Sequence, residues 1–312
     1  MKAMRSTLHG VLAVNKPVGP TSHDVVVWAR RALGTRAVGH AGTLDPVAAG
    51  LLVLLVGEAT KLAPYLTAAD KVYEATFRLG EETNTLDTEG TVAHEAPIPA
   101  GLTVETVGEV AQQFIGRILQ RPPAHSAIKV RGEPLYARAR RGENVEPEPR
   151  EVEVRSLDVL SVEPNAVHVR VSCGCGFYVR SLARDLALAL GTRGYLIDLT
   201  RTQSGGLKLE DAVPGDLLRE AAKERDPERQ GEWGQKLVSL FEACSSLPRA
   251  RLNPEGETRA RRGQPILSNM LDFPGAGRTG GPPVALGTAA GDLVAIARRS
   301  GNHFKVMRGF NP

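Results

Sequence analysis

Three short stretches of the chain carry residue types suited to chemistry. The first is Gly39-His40-Ala41-Gly42-Thr43-Leu44-Asp45-Pro46. Asp-Pro favours the start of a turn, and the glycines before it permit a tight backbone path. On the local sequence alone Asp45 reads first as an ordinary turn residue, with a carboxylate displayed on a loop as the alternative. Gly-x-x-Gly also lets backbone approach a phosphate. No Lys-Ser/Thr pair follows it, which excludes a nucleotide-binding P-loop. The second stretch is Cys173-Gly174-Cys175-Gly176-Phe177-Tyr178-Val179-Arg180. A cation in the first turn of a helix does not complement the helix dipole. Arg180 is therefore either a surface residue or one held by a carboxylate. The two cysteines could ligate a metal, but nothing nearby supplies two more ligands at zinc-site spacing, so no metal site is expected. The third stretch, Arg121-Pro122-Pro123-Ala124-His125-Ser126-Ala127-Ile128-Lys129, leads into Leu135-Tyr136 and Arg138, Arg140 and Arg141. It is basic and stiffened by proline, and reads as a solvated hairpin or as an arm that touches phosphates.

The elements around these stretches follow from periodicity and punctuation. Residues 10–15 form a short strand, and Lys16-Pro17-Val18-Gly19-Pro20 a rigid loop. Ser22 is placed as the N-cap of a helix over 23–33, with Gly34 just past its end. Residues 39–46 read as a polar loop and 50–56 as a buried strand. Residues 71–79 alternate as a strand, and 103–115 form an amphipathic helix. Two strands over 151–162 and 166–173 flank a turn at Pro164-Asn165. A helix over 178–190 ends at Gly191, a strand follows near 195–201, and a charged helix occupies about 214–226. Residues 224–235 read as an exposed polar break. Beyond 247, glycine and proline rise and short apolar segments (284–287, 293–297) alternate with turns, as in a small β domain. The fold class expected is α+β: a mixed, mainly antiparallel sheet flanked by helices, with a β-rich C-terminal module. The boundaries are 1–246 and 247–312, with an arm at about 117–150.

Composition narrows the function classes. The chain has 312 residues, 42% hydrophobic and 24% charged, as in globular proteins. No apolar run reaches the roughly 18 residues of a membrane span, and the N-terminus makes a poor signal peptide. A cytoplasmic protein is expected. Three cysteines give no disulfide framework. The net charge of +4 is unevenly spread: residues 247–312 carry +6, residues 117–141 carry +6 and residues 142–163 carry −5. Total arginine content can reflect genome composition, but that bias does not segregate charge. Two basic patches suit a polyanion with an extended footprint.

Taken together, the motifs resemble the bacterial tRNA pseudouridine-55 synthases. Residues 39–52 match their Gly-His-x-Gly-x-Leu-Asp-Pro-x-Ala-x-Gly-x-Leu signature. Lys16-Pro17-x-Gly19 comes before it. Asp70-Lys71-x-Tyr73, Leu79-Gly80, Thr83-x-Thr85-x-Asp87-x-x-Gly90, Arg121-Pro122-Pro123 with Ser126-Ala127-Ile128-Lys129, and Cys173-x-x-Gly176-x-Tyr178-x-Arg180 come after it in the family's order. The resemblance covers roughly residues 10–205. Asn84 stands where the family often has Asp, and Cys175 where it more often has another residue. The resemblance implies the pseudouridine-synthase fold, with Asp45 as the essential aspartate. It implies that Tyr73 stacks on the target uracil and that Arg180 pairs with the catalytic carboxylate. Tyr178 lies beside the pocket, Lys16 near it, and Leu199 forms an apolar wall. His40, within a loop that includes Gly42 and Leu44, helps hold the T-loop open with its base flipped out. Arg121, Lys129, Arg138, Arg140 and Arg141 belong to an arm that clamps the T-arm, and the tail is similar to the RNA-binding module called PUA.

The implied reaction breaks an N1–C1′ bond, turns the uracil and forms a C5–C1′ bond. It needs no redox change, so no external cofactor is expected. Attack at C1′, addition at C6 and removal of the C2′ proton all require ionised Asp45. A nearby guanidinium would keep a buried carboxylate charged. The uridine must also leave its stack. The expected partner is the T-arm of tRNA, with no guide RNA and no membrane, and the expected state is a monomer. Two other readings use the same basic patches: a non-catalytic tRNA-folding protein, and a guide-RNA-dependent synthase.

Overall fold

The computed structural model describes residues 8–124, 126, 129–130, 133–134, 141, 147–224, 227–273 and 277–311. The chain divides into two compact units: residues 1–45, 50–69 and 203–312, and residues 46–49 and 70–202.

In the first unit, strand Gly10–Lys16 pairs antiparallel with strand Ala49–Val56, in register from Gly10 opposite Val56 to Lys16 opposite Gly50. Val213–Pro214 adds to Gly10–Lys16 in parallel, and Val38–Ala41 adds to Ala49–Val56 antiparallel. The run Leu51–Val56 is buried throughout, as an uninterrupted apolar strand must be. Helix Ser22–Ala32 buries Val25, Val26, Ala29 and Ala32, the one-sided spacing of an amphipathic helix.

Three local readings change here. The helix N-cap is Thr21, not Ser22. Thr21 accepts the Asp24 N–H, and the Asp24 carboxylate accepts the Thr21 N–H, a reciprocal capping box. Residues 39–41, read as loop from their glycine, lie in the strand Val38–Ala41, because pairing with Val53–Val56 supplies what local propensity withholds. The polar stretch near 224–235 contains the helix Pro227–Gln235, whose Trp233 is buried. Its charged and glycine-containing sequence hides a helix that this one aromatic anchors.

The C-terminal residues form a five-stranded sheet in the order Arg249–Arg251, Val284–Gly287, Leu293–Ser300, His303–Gly309, Ile266–Leu267. Its inner face holds Leu252, Ile266, Val284, Val294 and Phe304. Ile296 and Phe310 join a second cluster with Val11, Leu51, Val53, Leu240 and Phe241.

In the second unit, the strands Lys71–Leu79, Ala166–Cys173, Arg150–Glu163 and Gly116–Gln120 are successive antiparallel neighbours. Val167, Val169 and Val171 are fully buried on one face, which confirms the period-two reading. Helices Val104–Ala111 and Val179–Ala189 accompany these strands, and Gly194–Ser204 lies beside Lys71–Leu79. A Cβ at Gly194 would sit 2.6 Å from the Ala187 Cβ, so this strand needs glycine to pass the helix. Among the described residues no helix is long and apolar enough to cross a membrane.

The capping box gives a direct test. Thr21→Ala should lower stability by about 1 kcal/mol, the usual cost of a lost N-cap. Urea denaturation measures it, and an unchanged midpoint would show that the cap contributes nothing.

Candidate functional site

In the first unit the loop carrying Asp45 is held by its neighbour. Gly42 has φ +88°, a conformation that glycine adopts without strain, and turns the chain out of the strand. Leu44 is buried, and both of its backbone groups meet one side chain. Its N–H donates to Ser22 Oγ at 2.8 Å, and Ser22 Oγ donates to its carbonyl at 2.9 Å. Ser22 is thus the loop's clamp rather than the helix cap. Asp45 follows directly and is half-buried. His40 is half-buried and lies opposite Leu54 in the register. Lys16 is fully buried, and its Nζ donates to the carbonyls of Pro17 and Pro20, both at 2.9 Å. The lysine thereby closes the proline loop on itself.

The second unit holds Tyr73, Tyr178, Arg180 and Leu199. Tyr73 is half-buried on Lys71–Leu79, opposite Val171. Leu199 is 7% exposed on Gly194–Ser204. Tyr178 is the residue from which helix Val179–Ala189 starts, and Arg180 lies in its first turn. Arg180 is buried, so the surface alternative is excluded. Its Nη1 donates at 3.0 Å to Asp87 Oδ2 and at 3.0 Å to the Thr85 carbonyl.

The loop bearing Asp87 is built around that carboxylate. The Thr85 hydroxyl and the Glu89 N–H donate to Asp87 Oδ1, and the Thr83 hydroxyl donates to the Asp87 carbonyl. Leu86, between Thr85 and Asp87, has φ +61°, which costs a non-glycine residue about 1 kcal/mol or more. Asp87 was visible in the sequence only as a member of a motif. The signal for its role was the misplaced cation at a helix start, which demanded an acidic partner.

These features occur in a chain with close relatives. A family model for the TruB family pseudouridylate synthase, N-terminal domain, matches residues 30–179. A tRNA pseudouridine synthase B of Ralstonia nicotianae is 40% identical, over 98% of this chain and 96% of its own. One of Syntrophotalea carbinolica is 36% identical, over 97% of this chain and 98% of its own. The chain belongs to the TruB family of pseudouridine synthases. Among solved structures, a chain in a Cbf5-Nop10-Gar1 complex matches with a TM-score of 0.74 at 26% identity, covering 98% of this chain and 86% of that one. The expected pseudouridine-synthase fold is therefore present.

For this TruB-family chain, the arm is only partly described. Arg121 is half-buried and donates from Nη1 to the Pro147 carbonyl at 3.1 Å, and Arg141 is exposed. Lys129 lies in a two-stranded ladder opposite Pro134. Its side chain, and Arg138 and Arg140, lie outside the described residues. Cys173 is buried opposite Lys71, and burial pushes its thiol up to about 12. Cys175 is exposed. Lys71 is itself buried, and burial, helped by the nearby Arg201, pulls its ammonium below the usual lysine range.

The Arg180–Asp87 pair can be tested by stability. Asp87→Ala takes the carboxylate from a buried guanidinium, a change that typically costs about 3–5 kcal/mol. Chemical denaturation should show a loss of that order. A loss well under 1 kcal/mol would mean that the pair does not hold the loop.

Proposed function

We propose that this enzyme isomerises uridine to pseudouridine at position 55 in the T-loop of tRNA, with Asp45 as the catalytic carboxylate and no external cofactor. The observation that carries this reading is the near-full-length identity to tRNA pseudouridine synthase B proteins, with Asp45 standing in the signature loop. In this reading Arg180 is the site's fixed cation, because a guanidinium never loses its proton at neutral pH. Tyr73 offers its ring to the extruded uracil, replacing stacking worth about 1–3 kcal/mol per base. Tyr178 and Leu199 border the base, and His40, Gly42 and Leu44 shape the loop that receives it. Lys16 acts through the loop it closes.

The arm at about 117–150, with Arg121, Lys129, Arg138, Arg140 and Arg141, would clamp the T-arm. Residues 247–312 would serve as a PUA-like RNA-binding module, and residues 1–246 as the catalytic domain. A stand-alone cytoplasmic monomer acting on bare tRNA is favoured over a guide-dependent enzyme. The support is the level of identity: 40% to tRNA pseudouridine synthase B against 26% to the Cbf5 complex chain.

Two experiments test the reading. Asp45→Asn should bind a T-arm stem-loop as the parent does and release no tritium from C5-labelled uridine. Normal release by that variant would sink the assignment. Arg262, Arg298 and Arg308 are exposed on the C-terminal module. Replacing all three with Gln should weaken tRNA binding and flatten its dependence on salt, because fewer counterions are released. Equal affinity and equal slope would remove this module from the RNA interface.

A further inference from the structure

We infer that Gln120 is a positioning residue for the reaction, joining the root of the basic arm to the helix that carries Arg180. The inference rests on the reading of Tyr178 and Arg180 as site residues. Gln120 is 2% exposed and ends the strand Gly116–Gln120, opposite Arg150. Its amide grips one residue at two points. Nε2 donates to the Tyr178 carbonyl at 3.0 Å, and Oε1 accepts the Tyr178 N–H at 2.9 Å. The same Tyr178 carbonyl accepts the Leu182 N–H at 3.1 Å, a bond of the helix's first turn. Tyr178 supplies no side-chain cap, so the grip on this helix start comes from Gln120.

The next residue extends the junction. The Arg121 carbonyl accepts from Ser181 Oγ at 2.7 Å and from Arg184 Nη2 at 3.4 Å, while the Arg121 guanidinium reaches the Pro147 carbonyl. Both ends of the arm are thus tied together at its root, and that root is tied to residues on either side of Arg180. A buried glutamine that merely satisfied loop backbone would affect stability alone. This one fixes where the first turn of the helix begins, and so where Tyr178 and Arg180 stand.

Gln120→Met keeps the volume and loses both hydrogen bonds. Gln120→Glu keeps the acceptor for the Tyr178 N–H. Each is assayed as the full chain by single-turnover tritium release at saturating enzyme, by filter binding of a T-arm stem-loop, and by thermal melting. We expect Gln120→Met to slow the single-turnover rate roughly tenfold or more, as small misplacements of reacting groups do, with affinity within about twofold of the parent. Gln120→Glu should recover part of the loss. A Gln120→Met rate within about twofold of the parent overturns the inference. So does a rate that falls only in step with affinity and melting temperature, which is the mark of a purely structural glutamine. Asp45→Asn run in parallel separates the two levels. If that variant stays active, the reading of the site fails, whatever Gln120 does.

Discussion

A guanidinium buried away from water needs a carboxylate beside it, and much of one unit is arranged around meeting that need. Taking the two charges out of solvent costs several kcal/mol per ion, which is recovered only when geometry and further hydrogen bonds are good. Arg180 and Asp87 meet these conditions, with side chains only 6% and 3% exposed. Two donors occupy the other Asp87 oxygen, and the Thr85 carbonyl takes a second place on the guanidinium. Leu86 accepts a left-handed backbone so that its two neighbours can face the same arginine. The Leu86 carbonyl then receives the Leu196 N–H, which ties the loop to the strand bearing Leu199. The conformation of residues 83–90, the orientation of Arg180 and the placement of that strand are therefore linked.

The same economy recurs wherever a site residue lies outside a regular ladder. Loop backbone has no automatic hydrogen-bond partner, and an unpaired buried peptide group is costly. Here polar side chains provide the partners. Ser22 holds the peptide groups of Leu44 beside Asp45, and Gln120 holds those of Tyr178 two residues before Arg180. Lys16 holds the carbonyls of Pro17 and Pro20. In each case the contact is to backbone, so it fixes the path of the chain.

That arrangement explains what was legible in the sequence. The strands 71–79 and 166–173 were read with the bounds observed, because apolar alternation is written directly in their residues. Asp45 and Arg180 stood out through a motif and a misplaced charge. What the sequence hid is what depends on distant partners. Ser22 looks like a cap because caps are usually serine, and its bond to Leu44 spans 22 residues. Asp87 and Gln120 reach partners 93 and 58 residues away, and no local pattern records either contact. The strand at Val38–Ala41 and the helix at Pro227–Gln235 were missed for the same reason. A neighbouring strand and one buried tryptophan decide them, against local propensity.

The packing of the C-terminal residues decides how their part in RNA binding can be tested. The shift in glycine, proline and charge near 247 suits a small β domain. Yet Ala285, Leu293, Ile296 and Phe310 share one apolar cluster with Val11, Leu51 and Val53. Gly287 packs so closely on Phe241 that an added Cβ would come within 2.8 Å of the ring. The Asn311 N–H also donates to Glu58, which lies just after the buried strand Ala49–Val56. Removing the tail would strip that cluster and expose apolar surface at about 25 cal/mol per Å². Lost RNA affinity in a truncated chain would then report unfolding as readily as lost contacts. Exposed charges such as Arg298 and Arg308 can be changed without touching this core, so they separate binding from folding where truncation cannot.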